Sequence, residues 1–275
     1  MNRRAFVTKL AASLSLPIGL SWLGGLGGLV ASLLVTPAAG ARSEAKSGRP
    51  DKQKWASANL PEGYDPSAHL YSMAVQVDKC IGCGRCADAC KKENGVPLEP
   101  FFFRTWVERY TTDEHGEVAV DSPNGGIDGF PPLEGAGRMR SFFVPKLCNQ
   151  CENPPCVQVC PVGATFKTPD GVVLVDESYC IGCRYCIQAC PYGARYLHPE
   201  KRVADKCTFC YHRITRGLQP ACVEACPVEA RVFGDLKQKA SPLQRILRIG
   251  RLQVLKGYLN TRPKVVYTGL DMEVR

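Results

Sequence analysis

The stretch Cys180-Ile181-Gly182-Cys183-Arg184-Tyr185-Cys186-Ile187-Gln188-Ala189-Cys190-Pro191 decides how the chain is read. Three thiols sit within seven residues of one loop, and a fourth follows just before a proline. The same spacing recurs upstream as Cys80-x2-Cys83-x2-Cys86-x3-Cys90. Two stretched versions complete the set. One is Cys148-x2-Cys151-x4-Cys156-x3-Cys160, followed by Pro161; the other is Cys207-x2-Cys210-x11-Cys222-x3-Cys226, followed by Pro227. All 16 cysteines of the 275-residue chain fall in these four quartets.

Regular quartets with neighbours two residues apart make poor structural disulfides, so a disulfide scaffold does not account for them. Zinc ribbons bring two separated pairs together, whereas here three thiolates crowd a single loop. Such a loop wraps three corners of a cubane and leaves the fourth corner for a distant cysteine. The spacing is that of bacterial ferredoxins, complete twice and stretched twice. It predicts four [4Fe–4S] clusters, with iron on all sixteen cysteines. A c-type haem requires His directly after C-x-x-C; the residues there are Gly84, Ala87, Glu152, Arg184, Ile187 and Tyr211.

The segments between the quartets predict an α+β fold of short elements. A short helix after each third cysteine carries the fourth to a neighbouring cluster, and Pro161, Pro191 and Pro227 end three of these helices. The first quartet has Lys91 instead of proline, and Gly95 reads as its helix stop. Ser141–Val144, Val172–Val175 and Arg231–Phe233 read as strands. Residues 99–142 form an insertion with an aromatic run, Phe101-Phe102-Phe103-Arg104-Thr105-Trp106, read as a surface hairpin or as a docking surface. From Ser241 to Asn260, Leu243, Ile246, Leu247, Leu252, Val254, Leu255 and Leu259 alternate with Arg245, Arg248, Arg251 and Lys256. That pattern predicts a basic amphipathic helix that packs on the cluster domain, binds a membrane subunit or lies on anionic lipid. No C-terminal stretch has the 18 or so uncharged apolar residues of a membrane span.

On these quartets, with Leu147-Cys148-Asn149-Gln150-Cys151 and Cys190-Pro191-Tyr192-Gly193-Ala194, the chain resembles the iron–sulfur subunits of membrane-associated respiratory oxidoreductases. That family includes the electron-transfer subunits of polysulfide, tetrathionate, dimethyl-sulfoxide and nitrate reductases and of formate dehydrogenase. It also includes the partner of pentahaem nitrite reductase and the periplasmic subunit of the sulfite-reduction-associated complex. The resemblance covers about residues 71–235. Some relatives replace a third-quartet cysteine by tryptophan and hold a three-iron cluster; Cys186 is present here.

The resemblance implies that the quartets pair first with fourth and second with third. Cluster 1 would be held by Cys80, Cys83, Cys86 and Cys226, and cluster 2 by Cys90, Cys207, Cys210 and Cys222. Cluster 3 would take Cys148, Cys151, Cys156 and Cys190, and cluster 4 Cys160, Cys180, Cys183 and Cys186. The implied architecture is two nested dicluster domains: an outer one from 71–98 plus 199–235 and an inner one at 143–198. Residues 236–275 are then a C-terminal docking tail. The implied partners are an integral-membrane quinone-reactive subunit and a molybdopterin catalytic subunit or multihaem cytochrome, with no nucleic acid.

No residues stand out for substrate chemistry. His69, His115, His198 and His212 are scattered, and no cysteine is spare to act as a nucleophile. The expected role is a non-catalytic electron-transfer subunit; the alternative is a self-contained iron–sulfur redox enzyme with a substrate-accessible cluster. Arg85, Arg184 and Lys206 lie beside ligands, where they either raise cluster potentials or sit in solvent.

The first 41 residues carry Arg3 and Arg4 and then no charge from Leu10 to Ala41. They resemble a twin-arginine signal with a cut after Ala41, or else an uncleaved anchor. Residues 42–70 read as a linker. The resemblance implies export in the folded state, to the periplasmic or exported face of the cytoplasmic membrane. The whole chain carries 35 Lys+Arg against 26 Asp+Glu, a net charge of +9. Without Arg3, Arg4 and Lys9 the balance is 32 against 26, or +6. Four oxidised clusters at about −2 each bring the total near −2, so the basic surplus offsets the clusters and marks no nucleic-acid site.

Overall fold

The structure, a computed structural model, describes residues 60–99, 101–133, 138–271 and 274. The expected signal at 1–41 and the linker up to residue 59 lie outside the described residues. The elements are short and mixed, as a loop-rich α+β chain requires. None of the described helices is long and apolar enough to cross a membrane.

The strand β1 (Tyr71–Gln76) is buried from Tyr71 to Val75 and is paired along both edges within a four-stranded sheet. It pairs antiparallel with β9 (Arg231–Asp235) and parallel with β11 (Val265–Thr268), whose other edge carries β10 (Leu252–Gln253). Met73, Val75, Val265 and Tyr267 have no solvent exposure and anchor the core. The segment before the first quartet thus pairs with the segment after the fourth, and brings the two ends of the cysteine-rich region together.

Between the first and second quartets lies a three-stranded antiparallel sheet, in the order β3 (Val118–Asp121), β2 (Thr105–Asp113), β4 (Arg138–Leu147). It packs on the first quartet's loop. A Cβ on Gly84 would meet the Gly126 carbonyl oxygen at 2.0 Å, and one on Gly82 would meet the Phe143 ring at 2.4 Å. Lys91 Nζ sits 4.3 Å over the Phe103 ring. Phe101, in contrast, is exposed.

Two hairpins follow the second and third quartets: β5 (Thr165–Lys167) with β6 (Val173–Val175), and β7 (Arg195–Leu197) with β8 (Ala204–Lys206). The helices in chain order are α1 (Arg85–Asn94), α2 (Pro155–Gln158), α3 (Tyr185–Gln188), α4 (Tyr211–Ile214), α5 (Ala221–Glu224) and α6 (Pro242–Ile249). Helices α1, α2, α3 and α5 each contain the third cysteine of a quartet. Helix α4 occupies the long spacer of the fourth. As expected, α1 stops at Gly95, whose left-handed φ of 58° lets its N–H donate to the Lys91 carbonyl.

The C-terminal region corrects the expectation. The helix read from Ser241 to Asn260 ends at Ile249. Ser241 caps its start, with Oγ accepting from the Gln244 N–H at 3.2 Å. After the helix, Gly250 turns extended, and Leu252 and Gln253 pair with Thr268 and Tyr267. Sheet hydrogen bonds therefore take the backbone that the helical pattern would have used. The apolar stripe is shared between a helix, a strand and a turn, with Leu243 and Leu255 buried and Ile249 exposed. Further on, β11 is part of the core, with Val265 and Tyr267 free of solvent exposure. The N–H groups of Glu152, Asn153 and Lys264 donate to the carbonyls of Arg262, Thr261 and Asn149, at 2.8, 3.0 and 2.9 Å. These bonds lace the C-terminal segment onto the second quartet's loop.

Candidate metal centres

Each quartet loop opens with the same backbone device. The residue before the second cysteine has positive φ in all four: Gly82 at 71°, Gln150 at 45°, Gly182 at 67° and Phe209 at 55°. This left-handed residue curls the loop so that successive cysteines point inward. Gln150 and Phe209 show that the turn itself tolerates a side chain. Close approach is what requires glycine at position 182, where a Cβ would lie 2.5 Å from the Arg202 carbonyl oxygen.

The curled loops bring cysteines together around small clefts. One is lined by Cys90, Cys207, Cys210 and Cys222 together with Asn94 and Arg104. A second is lined by Cys80, Cys83, Cys86 and Cys226 together with Arg231. In both, the fourth cysteine comes from a different quartet than the other three. In the other half of the protein, Cys148, Cys156 and Cys190 lie near enough to Cys151 for their thiolates to repel its own. Cys156, Cys180 and Cys186 share one apolar cluster with Val173 and Ala204. Cys160 is partly exposed and Cys183 exposed.

Burial pushes the thiols of Cys80 and Cys222 up to about 11 and that of Cys151 up to about 12. Bare thiolates there are unfavourable; as cluster ligands these cysteines would bind as thiolates with iron in place of the protons. Donors already point at the sulfurs. The Ala230 and Ala204 N–H groups lie 3.3 Å from Cys226 Sγ and Cys180 Sγ. Asn94 Nδ2 approaches both Cys90 and Cys210 Sγ, at 3.5 and 3.6 Å.

The buried cations are the test of fit for an anionic cluster. Arg195 and Lys206 are directly opposite in the β7–β8 register, and both are buried. Arg195 donates to Cys156 Sγ at 3.0 Å and to Thr165 Oγ1 at 3.3 Å; Lys206 Nζ donates to the carbonyls of Val173 and Cys207. Arg231 donates to Cys86 Sγ at 3.3 Å and Thr105 Oγ1 at 2.7 Å, and its buried Nη1 has no partner. None of the three pairs with a carboxylate among the described residues. Like charges facing across strands are destabilising, and a buried cation without an anion costs several kcal/mol. Thiolate-bound iron–sulfur clusters supply the missing negative charge, so the residues fit the group.

Of the three cations expected beside ligands, Lys206 is buried there, whereas Arg85 and Arg184 are exposed to solvent. Arg195 and Arg231 went unread in the sequence. The signal was present: Cys190-Pro191-x2-Ala194-Arg195 repeats as Cys226-Pro227-x2-Ala230-Arg231.

Comparison with known proteins agrees with the geometry. Two profiles described as 4Fe-4S dicluster domain match residues 79–164 and 139–236. A tetrathionate reductase subunit of Salmonella typhimurium is 43% identical over 214 residues, 77% of each chain. Its namesake from Archaeoglobus fulgidus is 48% identical over 73% of this chain and 82% of its own length. A polysulfide reductase subunit of Wolinella succinogenes is 37% identical over 72% of this chain and 93% of its own length. Two dicluster domains and sixteen cysteines fit four [4Fe–4S] clusters. The chain thus belongs to this family of dicluster iron–sulfur subunits, the non-catalytic electron-transfer members of reductase complexes.

Proposed function

We propose that the chain relays single electrons through four [4Fe–4S] clusters, between a membrane quinone-reactive subunit and a catalytic or haem-bearing partner. Each cluster, when bound, takes up or releases one electron. The ligand sets are Cys80, Cys83, Cys86 and Cys226; Cys90, Cys207, Cys210 and Cys222; Cys148, Cys151, Cys156 and Cys190; and Cys160, Cys180, Cys183 and Cys186. The outer pair belongs to a domain built from both ends of the cysteine-rich region, and the inner pair to the continuous domain nested within it.

The observation that carries this function is the pair of cysteine-lined clefts, each closed by a thiol from another quartet and bordered by Arg231 in one and by Asn94 and Arg104 in the other. The protein's own part is to hold the sulfurs, exclude water and fix the charge around them. The relatives named as tetrathionate and polysulfide reductase subunits support a place in such a complex. Arg3 and Arg4 support export in the folded state to the outer face of the cytoplasmic membrane.

Two measurements test the proposal. Quinol added to the solubilised complex should reduce the clusters, whereas the isolated chain should stay oxidised and turn over no substrate. Substrate turnover by the isolated chain would contradict it. Replacing Arg3 and Arg4 by lysine should hold the iron-loaded protein in the cytoplasmic fraction; unchanged export would remove the twin-arginine route.

A further inference from the structure

Helix α6 packs on β9 and forms one wall of a groove beside the first quartet. Leu243 of α6 has no solvent exposure, and a Cβ on Gly234 of β9 would meet its Cβ at 3.1 Å. Gln244 Nε2 donates to the Leu236 carbonyl at 2.7 Å, and Arg248 Nη2 to the Lys239 carbonyl at 3.4 Å. This wall is therefore fixed by the fold itself. Val232, Ile246 and Ile249 give the groove an apolar lining, and Ile249 is left 79% exposed.

Four cations border this lining, Lys79, Lys239, Arg245 and Arg248, against a single acid, Glu229. All four are exposed, and none has an ion pair among the described residues. Other surface cations do have one: Lys92 with Asp88, Lys167 with Glu152, Lys201 with Glu177 and Arg213 with Glu93. The four come from three separate segments and gather around a hollow, which a flat lipid surface does not enter. The hollow also adjoins a cysteine set. Lys79 directly precedes Cys80, and Ala230, next to Glu229, donates its N–H to Cys226 Sγ at 3.3 Å. Cys83 and Ile81 of the same loop are exposed.

On the relay reading proposed above, we infer that this groove docks an acidic, amphipathic segment of a partner protein that exchanges electrons with the cluster of Cys80, Cys83, Cys86 and Cys226. Carboxylates of that segment pair with Lys79, Lys239, Arg245 and Arg248, and its apolar side chains cover Ile246 and Ile249. The unpaired cations steer the encounter and fix its register. The apolar lining supplies the dry centre that a charged rim by itself lacks. A partner seated there lies alongside the exposed loop of the first quartet, so the fold has no need to open for electrons to pass.

The test uses the solubilised complex and a carbodiimide, which joins a lysine directly to a carboxylate touching it. Mass spectrometry should find Lys79 and Lys239 linked to Asp or Glu residues of one partner subunit. The double change Arg245→Glu and Arg248→Glu should weaken those links and slow stopped-flow electron exchange with that subunit about tenfold or more at low salt. Iron should stay at about 16 atoms per chain. High salt should bring the wild type down towards the variant and leave the variant almost unchanged. Should the double variant lose iron, Arg245→Gln and Arg248→Gln carry the test, with a smaller fall in the same rate. Links from these lysines only within this chain, or an unchanged exchange rate in the iron-loaded variant, would overturn the inference. So would vesicles of phosphatidylcholine with phosphatidylglycerol that bind the wild type and release the variant while the links to the partner are absent. A complex whose clusters quinol does not reduce would instead defeat the relay, and the links at Lys79 and Lys239 would still decide the groove.

Discussion

Arg195 and Lys206 face each other across the β7–β8 hairpin, 5% and 1% exposed, with no carboxylate partner among the described residues. Two buried cations in register are tolerable only beside an anion. Lys206→Met should therefore have opposite effects in the two forms of the protein. With clusters bound it should destabilise by about 1–3 kcal/mol, the scale of a charged buried interaction. In the chain stripped of iron it should be neutral or stabilising, because it relieves a like-charge contact. Thermal unfolding of both forms checks this; equal destabilisation in both would mean that the lysine serves packing alone.

Ligand substitutions should cross quartet boundaries. Cys226→Ser lies in the fourth quartet, yet it should remove the cluster otherwise held by the first. Iron should fall from about 16 to about 12 atoms per chain, at four per cluster. Cys90→Ser should give the same count but remove a different signal. Loss of one and the same signal in both variants would place Cys90 and Cys226 on one cluster.

The C-terminal segment should behave as core. Tyr267 has no solvent exposure, and its hydroxyl donates to the Pro145 carbonyl at 3.2 Å. Tyr267→Ala should cost about 3–5 kcal/mol as a large cavity, and Tyr267→Phe about 1 kcal/mol for the lost hydrogen bond. Truncation after residue 250 should abolish cluster retention, measured as iron content. A truncated chain with full iron would make this segment a dispensable appendage.

Asp235 predicts an acid limb. Burial alone would raise its carboxyl, but the Lys237 and Leu70 N–H groups and His69 outweigh that and hold it below the usual range. His69 Nδ1 lies 2.8 Å from it. A depressed carboxyl stabilises the fold above its unfolded pKa, about 3.9, and that stability is lost as pH falls through the lower folded value. Asp235→Asn should flatten the fall in unfolding temperature below about pH 4. An unchanged slope would assign acid lability to other groups.

What the sequence made legible follows from covalent spacing. Three cysteines within seven residues can only curl around a common centre, and Pro161, Pro191 and Pro227 mark where each return helix must stop. Gly95 was readable as a helix stop for the same local reason. The C-terminal region was not, because a periodic run such as Leu243 to Leu259 fits a helix until a distant strand competes for its backbone. β1 supplies that competition by pairing with β11, which gives β10 an edge to join. Arg195 and Arg231 were hidden for another reason. A basic residue in a loop-rich cationic chain looks like solvated surface until the fold buries it against sulfur.

The central claim is best tested by iron and acid-labile sulfide analysis of anaerobically purified chain, combined with coulometric reduction. Four clusters predict about 16 iron and about 16 sulfide per chain and about four electrons taken up. Stoichiometric zinc, iron near half that value, or uptake of about two electrons would contradict it.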